Sequence, residues 1–304
     1  MYLKVVLICT VLTGCNWLGK TPAHQLEDYL TRISRVQGAP AAPLPKSSPI
    51  MLPLASELRQ TIEPISLGLL ESYELRKCGL FNLIAERNSV LGKVQDEFRN
   101  FDYQNRLITG LRICLEEDEI SEELRERLKQ IYQTKRSQLK LHLINLTFTS
   151  QAMTKQLNGA HWLTRQSYSE LDHAFQTLLA HHTSVAKPLN SSELQAVVGI
   201  QEVLEKQRLI GNLTYSFVQA TAWIDTIVTQ LENNDNAIEC GKNRDQTQFN
   251  YLKNILHNTY MKELQPYLAW LDAVYYDINP MIMMLQGFHP DYQYPLVHTH
   301  KAFQ

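Results

Sequence analysis

Residues 210–231 read IGNLTYSFVQATAWIDTIVTQL and contain the clearest apolar periodicity in the chain. Apolar side chains recur here at alternating steps of three and four residues, at Ile210, Leu213, Phe217, Ala220, Ile224, Ile227 and Leu231. An α-helix has about 3.6 residues per turn, so this spacing places all of them on one face. The stretch therefore predicts a long amphipathic helix with one buried seam, in a helix that opens at Asn190.

A second seam follows an Asn-rich break at residues 233–236. Its apolar positions are Tyr260, Leu264, Tyr267, Leu271, Val274 and Ile278. Two seams joined by a short break favour an antiparallel helical hairpin, packed at about 20°. A homodimeric coiled coil is the alternative, since the first seam extends over about three heptads. Pro266 lies inside the second pattern and predicts a kink there, because proline removes a backbone donor.

Outside these seams the pattern from residue 54 onward is also helical, and no alternating strand pattern competes with it. The predicted fold class is all-α, an antiparallel helical bundle with long helices. A Pro-rich segment, residues 39–53, precedes it and contains Pro40, Pro43, Pro45, Pro49 and Pro53. These prolines predict an extended arm. The arm either holds the first helix away from the body or lies across the body's surface.

Composition excludes several classes of protein. The chain has 304 residues, of which 44% are hydrophobic and 20% charged, as in a foldable protein rather than a disordered one. Lys and Arg (29) nearly balance Asp and Glu (31), so no net positive field is available to hold a polyanion. We therefore expect no nucleic-acid partner.

The N-terminus carries an export signal. Lys4 is followed by an apolar run over residues 5–12, which is too short to span a bilayer because a spanning helix needs about 20 residues. The next residues, Leu12-Thr13-Gly14-Cys15, resemble the lipobox that lipoprotein signal peptidase recognises. The resemblance implies that residues 1–14 are removed and that Cys15 receives a diacylglyceryl group on its sulfur and an acyl chain such as palmitate on its amino group. Several acyl chains would anchor the protein stably to a membrane.

The same resemblance bears on location. In lipoprotein sorting an Asp after the lipidated cysteine favours retention in the inner membrane, and this chain has Asn16 instead. We expect an outer-membrane anchor facing the periplasm, with the inner membrane as the alternative. The expected organisation is a signal peptide (1–14), a lipidated segment with a short helix and the Pro-rich linker (15–53), a helical bundle domain (54–287) and a polar C-terminal tail (288–304).

Three cysteines remain for an oxidising compartment: Cys78, Cys114 and Cys240. Cys78 and Cys114 lie on consecutive predicted helices, and a turn near residues 95–100 would bring them level. The sequence therefore predicts a Cys78–Cys114 disulfide. Cys240 could replace either partner, and three free thiols are the remaining alternative.

The most unusual local composition in the body is the polar stretch Glu86-Arg87-Asn88 beside an apolar face. We consider it a possible ligand or partner site, although structural pairing with neighbouring helices is the favoured explanation. The surrounding LIAERNS-x-LGKV pattern at residues 83–94 and the later Leu264-Gln265-Pro266-Tyr267-Leu268 resemble an uncharacterised family of gammaproteobacterial lipoproteins, a domain of unknown function. The resemblance covers most of the mature chain and implies no activity.

No pattern in the sequence points to catalysis. There is no nucleophile elbow, Ser-x-x-Lys, His-Glu-x-x-His, phosphate-binding loop or dinucleotide fingerprint. His181-His182 and His298-Thr299-His300 are the closest histidine groupings, and neither has a third ligand nearby. We expect no catalytic residues, no metal and no cofactor.

Three functions remain open at this point. The leading hypothesis is a non-enzymatic binding or scaffold lipoprotein whose partner is an envelope protein or a ligand. The second is a carrier of an apolar ligand, suggested by the aromatic and Met-rich residues between 260 and 284. The third is an envelope enzyme acting on cell-wall material, suggested by location and by the polar stretch at residues 86–88.

Overall fold

The computed structural model of the chain describes residues 21–65, 74–89, 92, 94–186, 194–239, 241 and 244–304. These residues form helices joined by turns and extended segments, and they contain no β-strand beyond one isolated bridge between Ile50 and Gly159. The all-α prediction is confirmed. The predicted signal peptide, Cys15, Asn190 and Cys240 lie outside the described residues.

In chain order the α-helices are α1 (Pro22–Gln37), α2 (Ala55–Leu58), α3 (Leu80–Asn88), α4 (Glu97–Glu116), α5 (Glu122–Thr149), α6 (Gln151–Leu157), α7 (Ser169–Ala186), α8 (Gln201–Lys206), α9 (Ile210–Asn233), α10 (Thr247–Ile255), α11 (Gln265–Asp277), α12 (Asn279–Leu285) and α13 (Leu296–Phe303). Short 3₁₀ helices occupy Val197–Ile200 and Asp235–Ala237, and Leu256–Leu264 is a π-helix. None of the described helices combines the length and the apolar composition that a membrane span requires.

Contacts divide the chain into two compact units. The smaller unit comprises the described part of Met1–Leu44 together with Asp225–Tyr267, and the larger unit comprises Pro45–Ile224 and Leu268–Gln304. This division differs from the predicted single bundle domain over residues 54–287.

Helix α1 organises the smaller unit. Thr21 accepts a hydrogen bond from His24 N at its start, and Gly38, with φ 63°, ends it. Its buried face packs against α10 and the π-helix, where the Tyr29 and Tyr260 ring centroids lie 5.9 Å apart. Pro266 is the second residue of α11, which begins where this π-helix ends. The kink expected at the proline stays a prediction.

Helices α3, α4 and α5 form the part of the larger unit that matters most here. Helix α4 packs along α5 and against α3, and Leu80, Leu111 and Leu128 are completely or almost completely buried in their shared core. The turn between α3 and α4 brings Cys78 and Cys114 to a Cα–Cα distance of 5.1 Å, where they form a disulfide. The predicted pairing is confirmed.

The predicted long helix from Asn190 is interrupted. Helices α8 and α9 are separated by residues 207–209. The buried Gln156 side chain explains the break, because its Nε2 donates to Gln207 O over 2.7 Å while its Oε1 accepts from Leu209 N (2.6 Å) and Ile210 N (3.2 Å). One side chain thus satisfies backbone groups at a helix end. The seam residues Ile210, Leu213 and Phe217 are buried as predicted.

The C-terminal segment also differs from its prediction. Residues 288–304 carry helix α13, and Tyr294 is buried, with its hydroxyl donating to Leu157 O over 2.6 Å. The polar composition of this segment predicted a tail, although some of its residues are buried. The run from Met281 to Leu285 lies mostly in the core, with only Met283 exposed.

The extended arm lies along other parts of the chain. In the larger unit, Ile50 and Gly159 exchange two backbone hydrogen bonds, and Leu52 N donates to Asn158 Oδ1 over 2.7 Å. In the smaller unit, Ala42 N donates to Gln230 Oε1 over 2.7 Å. Each unit therefore holds its own part of the arm.

Candidate functional site

A polar pocket of about 350 Å³ opens in the larger unit. Its walls come from the extended segment after α2, from α3 and the turn that follows, and from one face each of α4 and α5. Its lining residues are the cations Arg59, Arg87 and Lys135, the acids Glu63, Asp96 and Glu97, the amides Gln60, Gln95, Asn100, Gln104 and Asn145, and His142, Ile62 and Pro64. The volume suits a small ligand, while the lining is far more polar than in most ligand pockets.

One wall is the extended segment 59–64, which is fixed along α5 by amide side chains. Asn145 makes two hydrogen bonds to the backbone of Gln60, accepting at 2.7 Å and donating at 3.0 Å. Gln138 Nε2 donates to Glu63 O over 2.9 Å. At the start of the segment, His289 Nε2 donates to Leu58 O over 2.8 Å. The wall is thus tied down at both ends.

Arg87 projects from the end of α3. Its guanidinium donates to Gly92 O, to Gln95 Oε1 over 3.0 Å and to Asn100 Oδ1 over 3.2 Å, and it lies 5.5 Å from the Tyr103 ring centroid. All three acceptors are uncharged. Arg87 is therefore positioned precisely, yet its positive charge has no carboxylate partner among the described residues.

The orientation of Asn100 sets the protonation of His142. Arginine cannot accept a hydrogen bond, so the oxygen of the Asn100 amide faces Arg87 and its Nδ2 faces His142 Nδ1, 3.1 Å away. Nδ1 must then be the acceptor, which leaves the proton of the neutral ring on Nε2. Burial, followed by the nearby charges of Lys135 and Arg87, lowers the pKa of His142 to about 4. At neutral pH the ring is uncharged and Nε2–H is a donor.

Two residues that line the pocket each carry a buried polar atom with no partner within the described chain. The atoms are His142 Nε2 and Gln104 Oε1, on side chains whose residues are only 9% and 5% exposed. A buried donor and a buried acceptor left unmatched each cost about 1–3 kcal/mol. Because both residues line one pocket, these atoms are candidates for ligand contacts.

The charges of the pocket are divided unevenly. Glu97 pairs with Arg59 at 2.6 Å, and Asp96 caps α4 and pairs with Arg99 at 2.5 Å, so these two carboxylates are occupied. Lys135 has no ion pair or hydrogen bond within the described residues, and burial, with a contribution from Arg87, lowers its pKa. Two partly buried cations, Arg87 and Lys135, therefore have no anionic partner in the part of the chain that the structure describes.

Of the predicted site Glu86-Arg87-Asn88, only one residue lines this pocket. Arg87 lines the pocket, whereas Asn88 is exposed and outside it. Glu86 is also exposed, and its Oε2 lies 3.6 Å from Arg106 Nη2. Successive side chains on a helix point about 100° apart, so only one of these three neighbours faces the pocket.

The residues of α5 that line or support this pocket were missed from the sequence. Lys135, Gln138, His142 and Asn145 follow one another at steps of three, four and three, the same spacing that identifies a buried apolar face. On α4, Asn100 and Gln104 lie one turn apart. A polar stripe with the period of a core stripe was the signal that could have found the site.

The histidine groupings serve structural roles. His181 Nε2 donates to Gln195 O over 2.8 Å, and His300 Nε2 lies 2.6 Å from Asp272 Oδ1 while its ring stacks on Tyr275 with centroids 3.6 Å apart. Within the described ranges, no group of three His, Cys, Asp or Glu side chains is arranged to hold a metal ion. The C-terminal aromatic and Met residues, among them Tyr275 and Met281, are mainly core.

Comparison with known proteins gives one result. No curated protein matches the chain. No solved structure matches it either. A family model described as protein of unknown function (DUF3080) matches residues 26–304, which include every described residue of the larger unit and every pocket residue. The chain therefore belongs to the DUF3080 family.

Proposed function

We propose that this protein is a non-enzymatic binding lipoprotein of the gammaproteobacterial cell envelope, anchored through Cys15 and holding its ligand in the polar pocket of the larger unit. The anchor rests on the lipobox-like residues 12–15 and on Asn16, which favours the outer membrane facing the periplasm. The binding role rests on one observation. Two residues that line the pocket carry buried polar atoms, His142 Nε2 and Gln104 Oε1, that the described protein does not satisfy.

The chemistry of the lining favours binding over turnover. Among the described residues, the lining includes no Ser, Thr, Cys or Tyr that could act as a nucleophile. His142 offers a donor rather than a basic nitrogen, because its Nδ1 accepts from Asn100. Asp96 and Glu97 are engaged by Arg99 and Arg59. These groups suit recognition by hydrogen bonds and charge.

Photocrosslinking in living cells tests the proposal. A photoreactive amino acid replaces Ile62, on the pocket wall, and in a matched control it replaces Val198, which is 40% exposed and outside the pocket. We expect an adduct of defined mass from position 62 and none from position 198. An absence of adduct from position 62, or release of products from a glycan, peptide or ester substrate by purified protein, would contradict the binding role.

A second arm tests the anchor. Wild-type cells and cells carrying Cys15→Ala behind a cleavable secretory signal are fed an alkyne-labelled palmitate. We expect label on the wild-type protein and none on the variant, with the adduct from position 62 reduced if the ligand is itself held in the envelope. Equal labelling of both proteins would contradict lipidation at Cys15.

A further inference from the structure

We propose that the pocket ligand is an oxyanion that carries an adjacent hydroxyl or N–H donor, bound between Arg87, Lys135, His142 and Gln104. This inference rests on the proposed binding function and names its ligand class. It follows from four groups that come from α3, α4 and α5 and share one pocket.

The positive charges of Arg87 and Lys135 favour an anionic ligand. Arg87 donates to three neutral acceptors, and Lys135 has no ion pair or hydrogen bond in the described part of the chain. The remaining acid of the lining, Glu63, belongs to an exposed residue. Two partly buried cations without a counter-charge are unfavourable, and an anion placed between them removes that penalty.

His142 carries a hydrogen-bond donor that favours a ligand oxygen. The chain of contacts from Arg87 through Asn100 to His142 leaves Nε2–H as a buried, unpartnered donor on a residue that lines the pocket. This donor and the two cations all favour a ligand oxygen that accepts hydrogen bonds. A carboxylate or phosphate group supplies such oxygens and the matching negative charge.

Gln104 carries a hydrogen-bond acceptor that requires a donor on the ligand. Its Oε1 is buried and unpartnered, and it cannot be satisfied by an oxyanion that has no proton. A hydroxyl or N–H next to the anionic group would donate to it. Lactate, with a hydroxyl beside its carboxylate, has both features, and so does hydrogen phosphate with its own O–H. Acetate has the charge but lacks the donor.

Calorimetric titration of the full chain in detergent, at pH 7 and low salt, tests this with sodium lactate, sodium acetate and inorganic phosphate as the probes. We expect saturable binding of lactate or phosphate, and a lactate affinity about tenfold above that of acetate, the effect of one hydrogen bond to a buried group. Binding of lactate indicates a carboxylate ligand, and binding of inorganic phosphate indicates a phosphate ligand.

Three variants locate the site. Lys135→Gln is expected to weaken binding about tenfold, whereas Lys129→Gln, an exposed lysine of the same helix outside the pocket, leaves it unchanged. Gln104→Met keeps the side-chain volume and is expected to reduce lactate to the affinity of acetate. A melting temperature close to that of the wild type confirms that each variant is folded.

The proposal is overturned if none of the three probes binds saturably, or if Lys135→Gln binds as the wild type does. Equal affinities for lactate and acetate would overturn the role of Gln104. These failures are distinguishable from failure of the binding function. A specific adduct from position 62 without oxyanion binding leaves the binding function in place, and oxyanion binding in vitro without any adduct in cells contradicts that function alone.

Discussion

Asn100 Nδ2 lies 3.1 Å from His142 Nδ1, and this contact decides which ring nitrogen carries the proton. Because the Asn100 oxygen is already engaged by Arg87, the amide has a single orientation. An arginine on one helix thereby sets the tautomer of a histidine on another, through one amide. The chemistry that the pocket offers to a ligand depends on this relay.

Replacing Asn100 by Asp should raise the pKa of His142 from its value of about 4. A carboxylate beside Nδ1 stabilises the protonated ring and changes Nδ1 from acceptor to donor. NMR titration of the histidine ring signals measures the shift. Asn105→Asp, on the same helix but outside the pocket, is the control and should change this pKa much less. An unchanged pKa in Asn100→Asp would contradict the assigned contact.

Folding stability should fall on acidification because of His142. The pKa of this ring is about 4 in the folded protein and about 6.5 when unfolded, so its contribution is complete above pH 6.5 and is lost as the pH falls toward 4. The loss is at most about 3 kcal/mol, since one pKa unit is worth about 1.4 kcal/mol.

Urea unfolding at pH 7 and at pH 4.5 measures this contribution by comparing wild type with His142→Gln. The variant should lose less free energy of unfolding between the two pH values, because glutamine does not titrate. The groups that act on the ring are Lys135 on its own helix, Arg87 from α3 and Asn100 from α4, with Glu63, Asp96 and Glu97 also lining the pocket. Identical pH dependence in the two proteins would contradict the burial of a neutral ring.

Gly211→Ala should destabilise the larger unit by at least about 2 kcal/mol. A Cβ atom at this position would collide with the backbone carbonyl of Asn158, and one at Gly159 would meet the carbonyl of Gly211. Gly199→Ala is the matched control, because a Cβ there meets nothing within 4 Å, and its effect should stay within about 0.5 kcal/mol. Thermal unfolding distinguishes the two, and equal melting temperatures would disprove the close approach.

Removing the Cys78–Cys114 disulfide should lower the free energy of unfolding by about 3–4 kcal/mol in the chain-entropy model, since the bridge closes a loop with a sequence separation of 36. The double variant Cys78→Ser/Cys114→Ser and the control Cys240→Ser are compared by urea unfolding with and without reductant. Only the double variant should become insensitive to reductant. Loss of the reductant effect in Cys240→Ser would indicate a different pairing.

Periodicity predicted the parts of the fold that depend on local apolar spacing. The buried face at Ile210, Leu213 and Phe217 follows from the apolar repeat, and the pairing of Cys78 with Cys114 follows from the order of two neighbouring helices and the turn between them. The break before α9 does not, because it depends on Gln156, a residue some 50 positions away whose side chain substitutes for helical hydrogen bonds. Such long-range polar contacts leave no local pattern.

The candidate site was predictable only in part for a similar reason. Arg87 stood out by local composition, but its partners Asn100 and His142 lie on two other helices, and nothing near them in sequence shows that they converge. The polar stripe on α5, from Lys135 to Asn145, has the spacing of a core face. Polar residues at that spacing are usually solvated, so the stripe becomes informative only once α4 covers it.

The most direct test of the central claim is an NMR experiment on the full chain with ¹⁵N-labelled histidine at pH 7, in which the His142 signals are assigned by their loss in His142→Gln. The predicted result is a neutral ring with the proton on Nε2, whose signal shifts saturably on addition of lactate or inorganic phosphate. A proton on Nδ1, or an Nε2 signal that stays unchanged at every concentration of both anions, would contradict an oxyanion site in this pocket.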